Sequence, residues 1–135
     1  MRRHLLTTAI LAGFIAMPNP SDASPLDRYK WKNRLLVVTG PDDAAAQQQR
    51  RIYDAAQAGM SERAIVLLNA VDDSAASREL RAALGSEVSR FKVTLIGKDG
   101  HTAFTSDTPV SADALFKRID AMPMRQDEMR RDRSR

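Results

Sequence analysis

Two continuous apolar runs stand out in the first half of the chain, at residues 34–39 and 64–68. They read RLLVVT and AIVLL, without the alternation of apolar and polar positions that marks a half-exposed strand. Unbroken runs of this length are typical of strands that are covered on both faces in α/β sheets. Small and apolar residues recur at helical spacing between them. The pattern therefore predicts a strand–helix–strand unit whose two strands pair in parallel.

The helix inside this unit is expected to begin at a capping Asp42 or Asp43 and to end near Gly59. Its sheet-facing positions follow the spacing i, i+3, i+4 and i+7. These positions are Ile52, Ala55, Ala56 and Gly59. A shorter helix is predicted after the second strand, with Asp73 or Ser74 at its start and Gly85 in a left-handed conformation at its end. Ala76, Leu80, Ala83 and Leu84 line its apolar face.

A third strand at residues 91–96 runs into the sequence GKDG at residues 97–100. Asp-Gly between two strand-like segments favours a two-residue type I′ turn, with positive φ at both Asp99 and Gly100. The chain is then expected to return antiparallel over residues 101–105.

The last predicted helix begins at a capping Ser111. Val110 precedes the cap and is expected to pack on Leu115 as a hydrophobic staple. The buried face of the helix consists of Leu115, Phe116, Ile119 and Met122, and Pro123 is expected to end it. The predicted order is therefore βαβαββα, an α/β fold with a central mixed sheet flanked by helices.

The two ends of the chain have a different composition from the segment between them. Residues 1–23 begin with Arg2 and Arg3, continue with a short apolar stretch, and finish with Ser-Asp-Ala, which is the pattern of a cleavable export signal. We expect cleavage near Ala23 and a periplasmic or secreted product, because the stretch is shorter than the roughly 20 apolar residues of a membrane span. The folded domain is predicted over residues 24–124. Residues 125–135 form a charged tail that is expected to be disordered.

The amino-acid composition excludes several kinds of functional site. The chain has no Cys, which excludes a disulfide framework, a thiol nucleophile and a dithiol redox couple. The formal charge of +4 falls to +3 without residues 1–23, and the tail carries +2 of that remainder. A nucleic-acid-binding domain would carry a basic stripe on its folded part. We therefore expect that the domain does not bind nucleic acid. We also predict no cofactor and no catalytic residues. The oligomeric state is left open.

Several residues near the predicted ends of the fold are candidates for a site. Trp31 and Arg34 flank the start of the first strand, while Asp120 and Arg125 bracket the end of the last helix. In one interpretation Trp31 covers the core, and Arg34 or Arg125 pairs with Asp120. In the other, these residues form a surface that binds an unidentified protein or envelope component, since aromatic and Arg side chains anchor many interfaces. Lys98 and Asp99, at the exposed hairpin tip, would extend that surface.

Met122, Pro123 and Met124 form a second candidate, because thioether sulfur is a soft ligand for Cu(I). The competing interpretation is that Met122 continues the buried helix face and Met124 fills space at the sheet edge. His101 is the only histidine outside the signal, and we expect it to face solvent after the turn. One imidazole does not make a His-rich metal site, so no metal is predicted.

The predicted element order resembles the thioredoxin-like topology, and three local strings resemble one family. They are Pro25-Leu26 with residues 29–37 (YKWKNRLLV), residues 96–100 (IGKDG), and residues 119–125 (IDAMPMR). The family is the small secreted domain of unknown function of bacterial periplasmic proteins. It is related to a domain in vertebrate coiled-coil-containing and sushi-repeat-containing extracellular proteins that is described as peroxiredoxin-like. The resemblance covers residues 25–130 and implies a fold and a location, but no activity.

The resemblance also implies where a redox site would lie. Thioredoxin-like proteins carry their reactive thiol at the start of the first helix, where the helix N-terminus lowers its pKa. That place is held here by residues 39–43, TGPDD, which contain no thiol. We therefore expect an exported domain without redox activity that serves as a binding or structural module. The alternatives are a non-redox enzyme that uses Asp42, Asp43 or Lys98, and a weak Cu(I)-binding protein.

Overall fold

The computed structural model of the chain describes residues 24–135, so the predicted export signal and its cleavage site lie outside the described residues. The strands are β1 (Arg34–Thr39), β2 (Ile65–Ala70), β3 (Lys92–Ile96) and β4 (Thr102–Ser106). The helices are α1 (Ala44–Ala55), α2 (Gln57–Glu62), α3 (Ala75–Leu84), α4 (Ala112–Asp120) and α5 (Pro123–Arg133), and a 3₁₀ turn lies at Asp27–Tyr29.

The four strands form one mixed sheet in the order β2-β1-β3-β4. β1 runs parallel to β2, with Arg34 opposite Ile65, and antiparallel to β3, with Thr39 opposite Lys92. β3 and β4 form the antiparallel hairpin. The predicted α/β fold with a mixed sheet flanked by helices is confirmed, and α2 and α5 are additions to the predicted order.

Both faces of the central strand β1 are covered, as its continuous apolar run predicts. All six residues of β1 are buried. On one face, Leu36, Val38 and Leu95 pack against α1, α2 and α4, and on the other Leu35 and Val37 pack with the N-terminal segment and α3. Burying each such aliphatic side chain contributes about 2 kcal/mol relative to leaving it in water. None of the helices between residues 24 and 135 has both the length and the hydropathy needed to cross a bilayer.

The predicted helix starts are confirmed by side-chain caps. Asp43, Ser74 and Ser111 each accept a hydrogen bond from the backbone N–H three residues later, at 3.0, 3.1 and 3.2 Å. Gly85 ends α3 with a φ of 61°, the left-handed conformation that favours glycine. The inward face of α3 holds Leu80 and Leu84 as predicted, but Ala76 and Ala83 are exposed.

The predicted sheet-facing side of α1 is wrong in part. The residues that pack against the core are Ala46, Gln49, Tyr53, Ala56 and, in α2, Met60. Gln49 is polar and therefore broke the apolar pattern. Its side-chain amide nevertheless lies fully inside, donating to the Val110 carbonyl at 3.1 Å and accepting from the Val110 N–H at 2.7 Å. The helical segment also continues past Gly59, as α2, to Glu62.

The hairpin turn differs from the predicted type I′ turn. Gly100 has a φ of 85°, but Asp99 does not have a positive φ. The Gly100 N–H donates to the Gly97 carbonyl at 3.0 Å, and the Gly97 N–H donates to the His101 carbonyl at 2.9 Å. This is a three-residue loop of Lys98, Asp99 and Gly100, in which only the last residue needs a left-handed backbone.

The charged tail, expected to be disordered beyond residue 124, is helical as far as Arg133. Pro123 does follow the end of α4, but it also occupies the first turn of α5, where its missing N–H costs nothing. Arg125 of this helix is buried. The physical reason is that Arg125 and Glu128 form ion pairs with residues of β1, α2, α4 and the hairpin. A count of charged residues does not reveal these partners.

Candidate functional site

A buried guanidinium lies at one end of the sheet. Arg34, the first residue of β1, is only 1% exposed. Its two terminal nitrogens donate to both carboxylate oxygens of Glu128 at 3.2 Å each, and one of them also donates to the Arg63 carbonyl at 2.9 Å. The Nε of Arg34 has no hydrogen-bond partner. Arg34 therefore pairs with Glu128, a residue of the predicted tail, and not with Asp120.

Glu128 also binds Lys98. The Lys98 ammonium lies 2.7 Å from Glu128 Oε1, and both side chains are 15% exposed. The prediction that Lys98 is an exposed residue at the hairpin tip is therefore wrong. Burial acts to raise the pKa of Glu128, but the hydrogen bonds from Lys98 and Arg34 outweigh it and hold that pKa below its usual value.

Arg125 fills the space between α2, α4 and α5. It is 2% exposed and donates to Asp120 Oδ1 at 3.2 Å and to Glu62 Oε1 at 3.0 Å. The predicted pairing of Arg125 with Asp120 is thus present. Arg63 donates to both oxygens of Asp120 at 2.9 Å, and its hydrogen bond is the largest cause of the lowered pKa of Asp120.

We call this set of paired side chains the ion network. It consists of Arg34, Glu62, Arg63, Lys98, Asp120, Arg125 and Glu128. Four cationic and three anionic groups join the start of β1, the end of α2, the hairpin and both C-terminal helices. The side chains of Arg34 and Arg125 are 1% and 2% exposed, so removal of their shared partner Glu128 leaves buried positive charge with less compensation, which is destabilising. The network therefore fixes the positions of the surrounding elements.

A cavity of about 340 Å³ lies beside the network, and we call it the hairpin cleft. One wall is the β3–β4 hairpin between Gly97 and Ala103, and the other is formed by Met122, Pro123 and Met124 at the junction of α4 and α5. Arg34 also lines it. The predicted candidates that line the cleft are Arg34, Lys98, Asp99, Met122, Pro123 and Met124, while Asp120 and Arg125 belong to the network behind it.

The remaining candidates, Trp31, Met122, Met124 and His101, lie in different surroundings. Trp31 is 68% exposed and does not cover the core. Its backbone N–H donates to the Lys98 carbonyl at 2.6 Å, so its loop is attached to the hairpin. Met122 packs on the core and lines the cleft, whereas Met124 is half-buried in the cleft wall. The His101 side chain is 86% exposed, as expected, and lies at the rim of the cleft.

The hairpin cleft lies at the opposite end of β1 from residues 39–43, where the resemblance would place a thiol. Because Leu35 is opposite Ile96 and Thr39 is opposite Lys92, the hairpin tip is at the Arg34 end of the strand. Five steps of about 3.4 Å separate the two ends, or about 17 Å. Asp42 binds Arg50 at 2.8 Å and Asp43 caps α1. Asp42, Asp43 and Lys98 therefore do not form one catalytic group.

The loop after β1 is also closely packed. Gly40 has a φ of 111°, and a Cβ atom at this position would lie 2.2 Å from the carbonyl oxygen of Arg90. The backbone before β3 therefore lies directly against the loop that follows β1.

Residues 25–128 match a family model described as Domain of unknown function (DUF4174). The chain belongs to this family. The matched range of the DUF4174 domain includes the hairpin cleft, and it ends at Glu128, the residue that joins Arg34 to Lys98. Residues 125–128 are thus part of the domain and not of a separate tail.

The fold of this DUF4174 domain is similar to that of a solved peroxiredoxin. The structure is a 2-Cys peroxiredoxin of Plasmodium vivax in its reduced form, with a TM-score of 0.54 and 17% sequence identity. The similarity covers 76% of this chain and 84% of the other. It shows a thioredoxin-like fold, and the absence of Cys from this chain rules out peroxiredoxin-type thiol catalysis by its own side chains. No curated protein matches the chain.

Some site residues were missed from the sequence. Glu62, Arg63 and Glu128 were not predicted, because no sequence motif marks them and their main partners lie in distant parts of the chain. One sequence feature points to Glu128: it is spaced i, i+3 from Arg125, so the two side chains share a face if the segment is helical. The spacing is informative only when α5 is known to be a helix. Within residues 24–135, no three His, Asp or Glu side chains are grouped to hold a metal ion.

Proposed function

We propose that the chain is an exported binding module without redox activity, and that the hairpin cleft is its binding site. The observation that carries this proposal is the cleft itself. A mainly apolar recess of about 340 Å³ lies against a charged network that fixes both of its walls. Recesses with apolar walls and a few fixed polar groups are the usual form of a binding site.

The chemistry of the cleft favours a partner with an apolar group to insert. Met122, Pro123 and Met124 present an apolar wall, and methionine adapts to ligands of different shape. Lys98 and Arg34 are already paired with Glu128 and contribute little free charge. An unidentified protein or envelope component that offers an apolar side chain fits this surface better than a small anion does.

The export part of the proposal rests on residues 1–23. Their basic start, short apolar stretch and Ser-Asp-Ala end support cleavage near Ala23 and release into the periplasm or the medium. Mass measurement of the protein recovered from cell fractions tests it. A product beginning at residue 24 outside the cytoplasm agrees with the proposal, and an intact cytoplasmic chain contradicts it.

Position-specific photocrosslinking in intact cells tests the cleft. A photoreactive residue is placed at Met124 or Thr102 in the cleft, and at the exposed Ala82 on α3 as a matched control. We expect one shared adduct from the two cleft positions, its loss when Ala103→Arg is added to fill the cleft, and no such adduct from position 82. Equal adducts from all three positions, or adducts that survive Ala103→Arg, would contradict a binding role for the cleft.

A second candidate function is Cu(I) binding, because the structure brings Met122, Met124 and His101 to the walls of one cavity. Thioether and imidazole groups together suit Cu(I). An anaerobic Cu(I) titration should then show weaker binding in Met122→Leu, Met124→Leu and His101→Ala than in the wild type. Equal affinities in all four proteins would rule this site out.

A further inference from the structure

Two features of Trp31 do not contribute to the stability of the folded chain. It is 68% exposed, although tryptophan is the largest apolar side chain, and its φ is 65°, in the left-handed region that non-glycine residues rarely adopt. Strained residues of this kind persist only where the surrounding structure holds them, and they are concentrated at functional sites. The exposure and the strained backbone therefore indicate that Trp31 has a role other than packing in the core.

The surrounding backbone fixes Trp31 in this conformation. Its own N–H donates to the Lys98 carbonyl at 2.6 Å, and the N–H groups of Lys32 and Asn33 both donate to the Tyr29 carbonyl, at 3.0 and 2.9 Å. Tyr29 itself packs on the core. The indole ring is thus presented from a rigid loop of residues 28–33, which we call the tryptophan loop.

The exposed residues that flank Trp31 along the loop are basic. Arg28, Lys30 and Lys32 are all exposed and alternate with Tyr29 and Trp31 along the loop. Asp27 lies 3.5 Å from the Lys30 ammonium, and Asp99, on the hairpin to which this loop is hydrogen-bonded, has a half-exposed carboxylate. The loop therefore presents one large aromatic ring between two lysines.

We propose that the tryptophan loop is a peripheral binding site for anionic phospholipid surfaces. Indole rings partition to the boundary between headgroups and acyl chains, where the apolar ring is buried while its N–H stays hydrated. Lysine side chains beside the ring bind phosphate-bearing headgroups by charge. The site is separate from the hairpin cleft and stands whether or not the cleft binds a partner.

The geometry favours a membrane surface over a soluble sugar polymer. A sugar-binding aromatic ring is normally accompanied by carboxylate or amide groups that bind hydroxyls, whereas the exposed neighbours of Trp31 in the loop are cations. Trp31 is largely exposed and does not lie among the residues that line the hairpin cleft. An exposed ring with basic neighbours suits insertion into a flat anionic layer.

Trp31 is the only tryptophan of the chain, so its fluorescence reports on this loop alone. The chain from residue 24 to residue 135 is mixed with vesicles of phosphatidylcholine, with or without phosphatidylglycerol. We expect a blue shift of the emission and protection from acrylamide with the anionic vesicles only, both reversed at about 0.5 M salt because charge attraction is then screened. An unchanged spectrum with anionic vesicles would overturn the proposal.

Variants distinguish this site from other basic surfaces. Lys30→Gln with Lys32→Gln should weaken vesicle binding by at least about tenfold, and Trp31→Ala should abolish co-sedimentation. A chain that ends at Arg130 lacks most of the exposed C-terminal arginines and should still show the blue shift. Loss of binding in that shortened chain, with no effect of the two lysine changes, would assign the attraction to the C-terminus and overturn the proposal.

Two controls complete the test. Val88, which is 60% exposed, is the other large apolar side chain exposed in the described structure, so Trp31→Phe with Val88→Trp moves the probe to a site without the basic loop. No blue shift is expected there, and a shift equal to that of the wild type would show nonspecific insertion and overturn the proposal. An equal blue shift with dextran sulfate in solution would assign the loop to acidic polysaccharides instead.

Discussion

Arg34 begins the most buried strand of the sheet, and a guanidinium in that place needs anionic partners that β1 does not supply. Glu128 supplies them from the far end of the domain. Only part of this arrangement is predictable from the sequence. The sequence predicts that Arg34 or Arg125 pairs with Asp120, and the structure shows this pair for Arg125. The partner of Arg34 was missed because Glu128 lay in a segment that was assumed to be disordered.

Arg34→Met should lower the free energy of unfolding by about 3 kcal/mol, because it leaves Glu128 buried with fewer cations around it. Urea unfolding followed by circular dichroism measures this loss. Arg51→Met, a change of the same kind at an exposed position of α1, should alter stability by less than about 0.5 kcal/mol. Adding Glu128→Gln to Arg34→Met should cost less than the sum of the two single changes. A loss below about 1 kcal/mol for Arg34→Met would contradict the importance of the pair.

The ion network also makes the free energy of unfolding depend on pH in the acidic range. The pKa values of Glu128 and Asp120 are lowered in the folded state, so the unfolded chain takes up protons first as the pH falls. Their contribution is therefore complete above the unfolded values of about 4.3 and 3.9 and is lost as the pH falls through the lower folded values. We expect the urea midpoint to decrease between about pH 5 and pH 3.

Glu128→Gln should be less stable than the wild type at pH 7 and should show a shallower decrease over the same range. Glu79→Gln, at an exposed position of α3, serves as the control and should keep the wild-type slope. A Glu128→Gln profile parallel to that of the wild type would show that this carboxylate does not drive the acid sensitivity.

At the scale of elements, strands and helix starts were predictable because each depends on local chemistry. Continuous apolar runs marked the buried strands, and Asp43, Ser74 and Ser111 marked the caps. The buried side of α1 was not predictable from apolar spacing, since Gln49 is buried through its hydrogen bonds to the distant Val110. The helical state of α5 depends on contacts with β1, α2 and the hairpin, none of which is local.

Truncation tests the role of α5. A chain that ends at Met124 loses Arg125 and Glu128, which leaves Arg34, Lys98 and Asp120 without these partners. We expect this chain to be unfolded or destabilised by more than about 3 kcal/mol. A chain that ends at Arg130 keeps both residues and should retain nearly full stability in the same thermal and urea experiments. Similar stability of the two truncated chains would show that α5 is dispensable.

At the scale of the whole molecule, the two ends of the sheet have different roles. The end at residues 39–43 is closely packed and has no thiol, while the end at Arg34 holds the ion network and the hairpin cleft. The sequence predicted the fold through its element order and excluded thiol chemistry through its composition. It did not show that Arg34, Lys98 and Met122 surround one cavity, because these residues are distant in the chain and meet only through the sheet register.

The purified chain should be inactive in insulin reduction and in peroxide consumption, because it has no thiol to reduce or oxidise. Both assays are run beside an active thioredoxin and an active peroxiredoxin. Turnover well above the uncatalysed rate, in a preparation that remains active after repeated purification, would contradict the absence of redox activity.

The pairing of Arg34 with Glu128 joins residues 94 positions apart, and this separation bears on when the domain can form. Chains emerge from the ribosome with the N-terminus first. β1 precedes α5 in the chain, so its buried guanidinium can meet the Glu128 carboxylate only after α5 has been synthesised. We therefore expect this end of the sheet to reach its native packing only once α5 has emerged.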